Sequence, residues 1–371
     1  MTNRLRLLQP AAAAAGTAAV LFGCVKMIPV MQAVRIGPEY AAVSEREAEM
    51  PAPKPLISLH TQTEPETQSA EKGEQPLLIV RESAASAAMH SARPYENRHG
   101  GSGGSIQEKQ YSDLRGSMFF SLDGGGQVRN STFWSNGDLK AESRIRPALR
   151  PPTDGSPAVL IYHTHTTESF PDVKSDSYDA AFNFRTTEPE RNMTAVGDAA
   201  AAALTAAGIG VVHAAEIHDY PKWNGSYARS AETVRAVLKE YPSVCIALDF
   251  HRDAISSGTT VIAPTAVIDG RKTAQVMIIS GCDDGTMQMP DYRENFHFAC
   301  LLQQTAEQMY PGLMRPILFD YRKYNQDLTT GSLLIEVGSQ GNTLEEACRA
   351  GTLIGQALAE TIRQAGSASL Q

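Results

Sequence analysis

The sequence predicts an α/β domain behind a long non-globular lead, and three observations carry that expectation. From Ala158 onward, six short apolar runs alternate with helical patterns, as they do when strands and helices layer around one core. Clusters of His, Asp and Glu follow or interrupt three of those runs. By contrast, the stretch from about Pro38 to Lys109 is rich in Pro, Glu, Ser, Gln and Gly and nearly free of aromatic residues.

Taken from the amino terminus, Arg4 and Arg6 precede an alanine-rich apolar stretch from Leu7 to Val34. Residues 1–35 therefore read as a cytoplasmic tip and a transmembrane signal anchor, since about 25 apolar residues can cross a bilayer and basic residues stay on the cytoplasmic side. Pro10, Lys26 and Gln32 weaken the run, which leaves a cleaved signal peptide as an alternative. Leu21-Phe22-Gly23-Cys24 resembles a lipobox, although bulky Phe22 fits it poorly. The favoured expectation is a single-pass protein of the cell membrane with its catalytic domain outside the cytoplasm.

Residues 36–116 read as a disordered extracytoplasmic linker, because so few apolar side chains cannot offset the entropy of ordering them. Residues 117–371 hold the catalytic domain. Strands are expected at Ala158 to Tyr162, Gly210 to Ala214, Val244 to Phe250, Gln275 to Ile279, Arg315 to Phe319 and Ser332 to Val337. A helix is expected after a capping box of Thr187 and Glu190 with Pro189 in its first turn, running to Ala207 and stopping at Gly208. Asn295 to Tyr310 and Thr343 to Gln364 have the apolar spacing of amphipathic helices.

The net charge of −8 and pI near 5.6 supply no basic field for a polyphosphate, so nucleic acid is excluded as an expected partner. Five cysteines lie scattered without a C-x-x-C spacing and read as small buried hydrophobes. A Cys282 to Cys300 disulfide is compatible with an oxidising compartment but is not fixed by spacing.

Three clusters carry chemistry. Tyr162-His163-Thr164-His165-Thr166-Thr167-Glu168 places two histidines and a carboxylate directly after an apolar strand, donors of the type zinc accepts. Asp249-Phe250-His251-Arg252-Asp253 ends another strand and offers a distant histidine, with Asp249 or Asp253 to orient it. Glu336 interrupts the apolar strand Leu333-Leu334-Ile335-Glu336-Val337, where an isolated carboxylate is costly unless paired, ligated or catalytic. The polar loop containing Tyr324, Asn325 and Gln326, together with Arg252, supplies candidate substrate contacts. No H-E-x-x-H motif is present, so the helix-borne metalloprotease arrangement is not expected.

The strings LIYHTHTTESF, RNMTAVGDAAAAALTAAGIGVVHAAEIHD, LDFHRDA and YNQDLTTGSLLIEVGSQGNTLEEA, in that order, closely resemble the stage II sporulation protein P (SpoIIP) family from about Ser117 onward. The resemblance implies a mixed sheet flanked by helices, of the zinc amidase kind. It also implies a zinc-dependent N-acetylmuramoyl-L-alanine amidase acting on peptidoglycan in forespore engulfment, beside the stage II sporulation proteins D and M (SpoIID and SpoIIM). On that resemblance His165 and His251 correspond to metal histidines and Glu336 to the catalytic glutamate. The middle ligand stays open between Glu168, which is favoured, and Glu188 or His163. A zinc endopeptidase on the stem peptide and a non-catalytic wall-binding scaffold are the rival expectations.

Overall fold

The six apolar runs are neighbouring or near-neighbouring strands of one sheet, because each supplies buried side chains to both of its faces. A computed structural model describes residues 77–96 and 100–367. In chain order the elements begin with β1 (Leu78–Arg81), α1 (Ala84–Ala87), β2 (Gly104–Lys109), β3 (Phe119–Ser121), β4 (Gln127–Asn130), α2 (Asn136–Glu142) and β5 (Pro157–Tyr162). There follow β6 (Ser177–Tyr178), α3 (Met193–Ala206), β7 (Gly210–Ala214), α4 (Ser226–Glu240), β8 (Ile246–Asp253), β9 (Ser256–Ser257) and β10 (Thr260–Ile268). Last come β11 (Arg271–Ala274), β12 (Val276–Gly281), α5 (Tyr292–Met309), β13 (Ile317–Asp320), β14 (Ser332–Ser339) and α6 (Leu344–Ser367).

Nine strands form a mixed sheet in the order β1-β7-β5-β8-β14-β12-β13-β4-β3. It is parallel from β1 through β14, and β12 runs antiparallel to β14. Side chains alternate across it. Val159, Ile161, Leu248, Phe250, Ile335 and Val337 belong to the core shared with α3, α5 and α6, each fully buried aliphatic contributing roughly 1.5–3 kcal/mol. Leu160, Tyr162, Val212 and Ala247 face the other way and pack on Val234 and Val237 of α4. Asp249, His251, Leu334 and Glu336 are also out of phase with that main core, and beyond α4 their side of the sheet opens into a cleft at the carboxyl ends of β8 and β14.

A smaller sheet, β11-β10-β2-β6, flanks the first, with β9 paired to β10. None of its five strands was among those expected from the sequence. The expected linker over 36–116 differs from the structure in its second half: β1 pairs in parallel with β7, and β2 pairs in parallel with β10. Tyr111 is fully buried, and its backbone N–H donates to Gln275 Oε1 at 2.7 Å. Gly104 sits at φ 151° where a Cβ would stand 1.9 Å from the Thr259 carbonyl oxygen, so the strand entry needs glycine.

The expected capping box before α3 also differs. Pro189–Arg191 form a separate 3₁₀ turn, and Asn192 is the cap, its side chain accepting the Thr194 N–H at 2.9 Å. Cys245, Cys282, Cys300 and Cys348 are free, which removes the Cys282–Cys300 disulfide; Cys24 lies outside the described residues. The expected anchor at 1–35 lies outside them as well. Among the described residues no helix is long and apolar enough to cross a membrane, and the single-pass membrane placement is corrected to that extent.

Candidate metal centre and active site

Directly after β5 the chain has to decide which histidine meets the cleft. His163 continues the strand alternation toward α3, where its Nδ1 donates to the Phe250 carbonyl at 3.0 Å and its Nε2 lies 2.9 Å from His213 Nε2. His213 Nδ1 in turn lies 2.9 Å from Asp198 Oδ1. Burial pushes the His163 imidazole down to about 3. Gly197 of α3 leaves room for this pair, since a Cβ there would stand 2.5 Å from His213 Nε2 and 2.7 Å from His163 Nε2. His163 is thus a core histidine turned away from the cleft.

The next four residues form a turn built by threonine hydroxyls. Thr164 donates its N–H and its hydroxyl to Asp249 at 2.8 and 2.6 Å, and Thr167 does the same to Asp219 at 3.1 and 2.6 Å. This turn swings His165 and Glu168 to the cleft side. There His165, Glu168 and His251 each offer a ligand atom, all within 4.8 Å of one another. His165 Nδ1 lies 3.7 Å from Glu168 Oε1, and His251 Nδ1 lies 3.9 Å from Glu168 Oε2.

The electrostatics of the three are complementary. Burial lowers His165 to about 4 against the pull of Glu168. Burial would also lower His251, but Asp249, 2.9 Å from its Nε2, and then Glu168 hold it up at about 9. Burial works to raise Glu168, yet His165, Arg185 and Arg252 keep it below its ordinary value. Arg185 Nη2 is 3.5 Å from Glu168 Oε1, and the Arg252 backbone N–H donates to Glu168 Oε2 at 2.9 Å. Asp249, rather than Asp253, is therefore the carboxylate on His251. Asp253 instead pairs with buried Arg315 at 2.8 Å.

Glu336 is paired in register with His251 on the adjacent strand. It lines the same cleft, and its Oε2 is buried without a hydrogen-bond partner. Burial first, and Asp253 second, push its carboxyl up to about 8.

Other residues singled out by sequence fall elsewhere. Glu188 accepts the Tyr95 N–H at 3.1 Å and pairs with Arg191 at 3.4 Å, outside the cluster. Asn325 donates to the Tyr227 carbonyl and Ser230 Oγ, both at 3.0 Å. Buried Gln326 accepts from Gly281 N–H at 2.9 Å and donates to the Ile279 carbonyl at 3.1 Å. Both amides brace the loop. Arg252 borders the cleft, and its guanidinium lies over the Phe170 ring and donates to the Asp253 carbonyl. Tyr324 does line the cleft, stacked on Tyr227 with ring centres 5.2 Å apart.

Sequence reading missed Trp223, Tyr227 and Arg185. Trp223 stacks on His165 at 5.0 Å, and Tyr227 meets the same ring edge-on at 5.6 Å. The signal of Tyr227 was weak, because Gly225 at φ 81° starts α4 without a side-chain cap and hides the helix that presents it, while Trp223 precedes that helix and Arg185 lies in a loop bridged to Glu168.

The residues fit a zinc ion. Two imidazoles and one carboxylate form a donor set that zinc accepts, and three protein ligands leave a coordination position for a reactant. Donors sharing one ion at about 2.0–2.2 Å in a tetrahedral arrangement stand roughly 3.4 Å apart. The observed 3.7 and 3.9 Å are close to that.

Comparison with known proteins places the chain in context. The family profile described as Stage II sporulation protein P (SpoIIP) matches residues 43–359. A curated relative, Stage II sporulation protein P of Bacillus subtilis (strain 168), is 33% identical over 209 residues, covering 53% of this chain and 49% of the relative. The match thus spans about half the length of that relative. Among solved structures, N-acetylmuramoyl-L-alanine amidase AmiC2 of Nostoc punctiforme is similar at 14% identity and a TM-score of 0.31, over 58% of this chain and 97% of that one. The CwlD amidase of Clostridioides difficile, solved in complex with the GerS lipoprotein, is similar at 10% identity and a TM-score of 0.34, over 57% and 99%.

Proposed function

The chain belongs to the stage II sporulation protein P family, and from that membership together with the cleft we propose that it is a peptidoglycan hydrolase of sporulation. Its finer assignment is a zinc-dependent N-acetylmuramoyl-L-alanine amidase that cuts the amide between muramic acid and L-alanine. The observation that carries this reading is the convergence of His165, Glu168 and His251 beside Glu336, whose Oε2 has no other partner.

His165, Glu168 and His251 would hold the zinc ion, which supplies Lewis acidity toward an amide carbonyl and acidifies water. Asp249 fixes the orientation of His251, and the Arg252 N–H fixes Glu168. Trp223 and Tyr227 wall off His165 and limit solvent on that side. Glu336 Oε2 takes the proton of the attacking water and later delivers it to the departing amide nitrogen. A carboxyl raised by burial suits both halves of that transfer near neutral pH.

The test is digestion of purified sacculi by the protein with zinc, with chelator and after zinc is restored. New L-alanine amino termini and intact stem peptides freed from glycan, lost on chelation and regained with zinc, are the expected products. Cut cross-links with stems still on the glycan would replace the amidase by an endopeptidase. Bound protein with an unchanged muropeptide profile would replace it by a scaffold.

A further inference from the structure

Two residues of the cluster, His251 and Glu168, each have a buried aspartate behind them, and the two aspartates are held alike. Asp249 accepts the N–H and the hydroxyl of Thr164 at 2.8 and 2.6 Å and stands 2.9 Å from His251 Nε2. Asp219 accepts the N–H and the hydroxyl of Thr167 at 3.1 and 2.6 Å, and its third partner is Arg185, whose Nη1 donates to Asp219 Oδ2 at 2.8 Å. Both aspartate side chains are fully buried. Thr164 and Thr167 belong to the one turn that carries His165 and Glu168.

Arg185 extends the second arrangement to the cluster. Its Nη2 lies 3.5 Å from Glu168 Oε1 while its Nη1 serves Asp219, so one guanidinium spans two carboxylates. The backbone holds it there. Arg185 and Glu168 are antiparallel bridge partners, the Ser169 N–H donates to the Phe184 carbonyl at 2.9 Å, and the Thr186 N–H donates to the Thr167 carbonyl at 2.8 Å. At the cleft wall the Arg185 side chain is 25% exposed. Glu168 thereby has a partner at each oxygen, since the Arg252 N–H donates to its Oε2 at 2.9 Å. A planar guanidinium suits this task, because its N–H groups point at fixed angles, whereas an ammonium is a single charge on a flexible stem.

We infer that Arg185, locked by Asp219, is a positioning residue for Glu168: it holds that carboxylate in the orientation that completes the metal centre, as Asp249 does for His251. The inference rests on the reading of His165, Glu168 and His251 as the ligands, and adds what keeps the one carboxylate among them from turning away. A free glutamate side chain samples many rotamers, and ordering it when the ion arrives is costly. A carboxylate already held at both oxygens avoids that cost.

The experiment compares wild type, Arg185→Met, Arg185→Lys and the double variant Arg185→Met/Asp219→Asn, each as the full chain loaded with cobalt(II) as a spectroscopic stand-in for zinc. Competition with a metal indicator reads affinity, and the visible d–d bands read ligand geometry. Arg185→Met is expected to weaken cobalt affinity roughly 10- to 100-fold, the usual effect of removing the partner of a ligand, and to shift the bands. Arg185→Lys should restore neither, because one ammonium cannot serve both carboxylates. Full recovery in Arg185→Lys would overturn the role of the fork. Removing Arg185 alone strands a charge on buried Asp219 and can cost stability, so the double variant, which lacks that charge, should show the same weak affinity and shifted bands. Wild-type affinity and bands in the double variant would reduce Arg185 to a counter-ion and overturn the positioning role. Unchanged affinity and bands in Arg185→Met, with slower turnover of sacculi, would overturn it too by placing the guanidinium on the substrate. A wild type that binds neither zinc nor cobalt defeats the ligand set and this role with it, whereas a wild type that binds both and cuts nothing defeats the hydrolase reading alone.

Discussion

Glu336 and His251 are register partners on adjacent parallel strands, so both side chains leave one face of the sheet at the same height. A proposed base and a proposed ligand are thereby held together by backbone ladders rather than by a loop. Rigid strands are the better support for a site that needs sub-ångström placement.

His251→Ala is expected to lose bound zinc and amide hydrolysis together while keeping its fold, as read by metal emission and circular dichroism. Glu188→Gln, tested alongside, should keep both, because Glu188 serves Tyr95 and Arg191 instead. Normal zinc content in soluble His251→Ala would move that histidine out of the ligand set.

Glu336→Gln keeps the side chain's size and removes its proton acceptor. Zinc should stay bound while the rate falls by roughly two to four orders of magnitude. Loss of zinc with the rate would make Glu336 a ligand.

The same substitution has an opposite effect on the metal-stripped protein. Burial raises Glu336 to about 8 from an ordinary value of 4.5, so folding favours its protonated form. That contribution is complete below about pH 4.5 and disappears as pH rises through about 8. Glu336→Gln removes the dependence. In chelator, its melting temperature should overtake that of wild type progressively across this window; parallel curves would show that the carboxyl is not held protonated.

Asp249→Asn should weaken zinc affinity by roughly 10- to 100-fold, the usual effect of removing a carboxylate behind a ligating histidine. The readout is competition with a zinc indicator. Unchanged affinity would mean that Thr164 alone orients this side of the site.

The strands around the cleft were legible because β5, β8 and β14 are continuous apolar runs, and a His or Glu within such a run stands out. What was not legible is direction. His163 and His165 part company because Thr164 bonds to Asp249, 85 positions away, and local spacing carries no trace of that bond. Asn325 and Gln326 looked like free polar groups for the same reason, their backbone partners lying on other elements. β1 and β2 were hidden by the composition around them, since each takes its ladder from a strand remote in sequence and needs few apolar residues of its own.

That borrowing runs both ways. A chain shortened to begin at Ser117 would discard both β1 and β2. β7 would then become an outer strand of the large sheet, and β10 would lose the partner to which β6 is also joined. Freed strand edges are templates for pairing with a second molecule. Trimming the lead to what looks unstructured in sequence would therefore favour self-association, whereas a start before Leu77 keeps both edges closed.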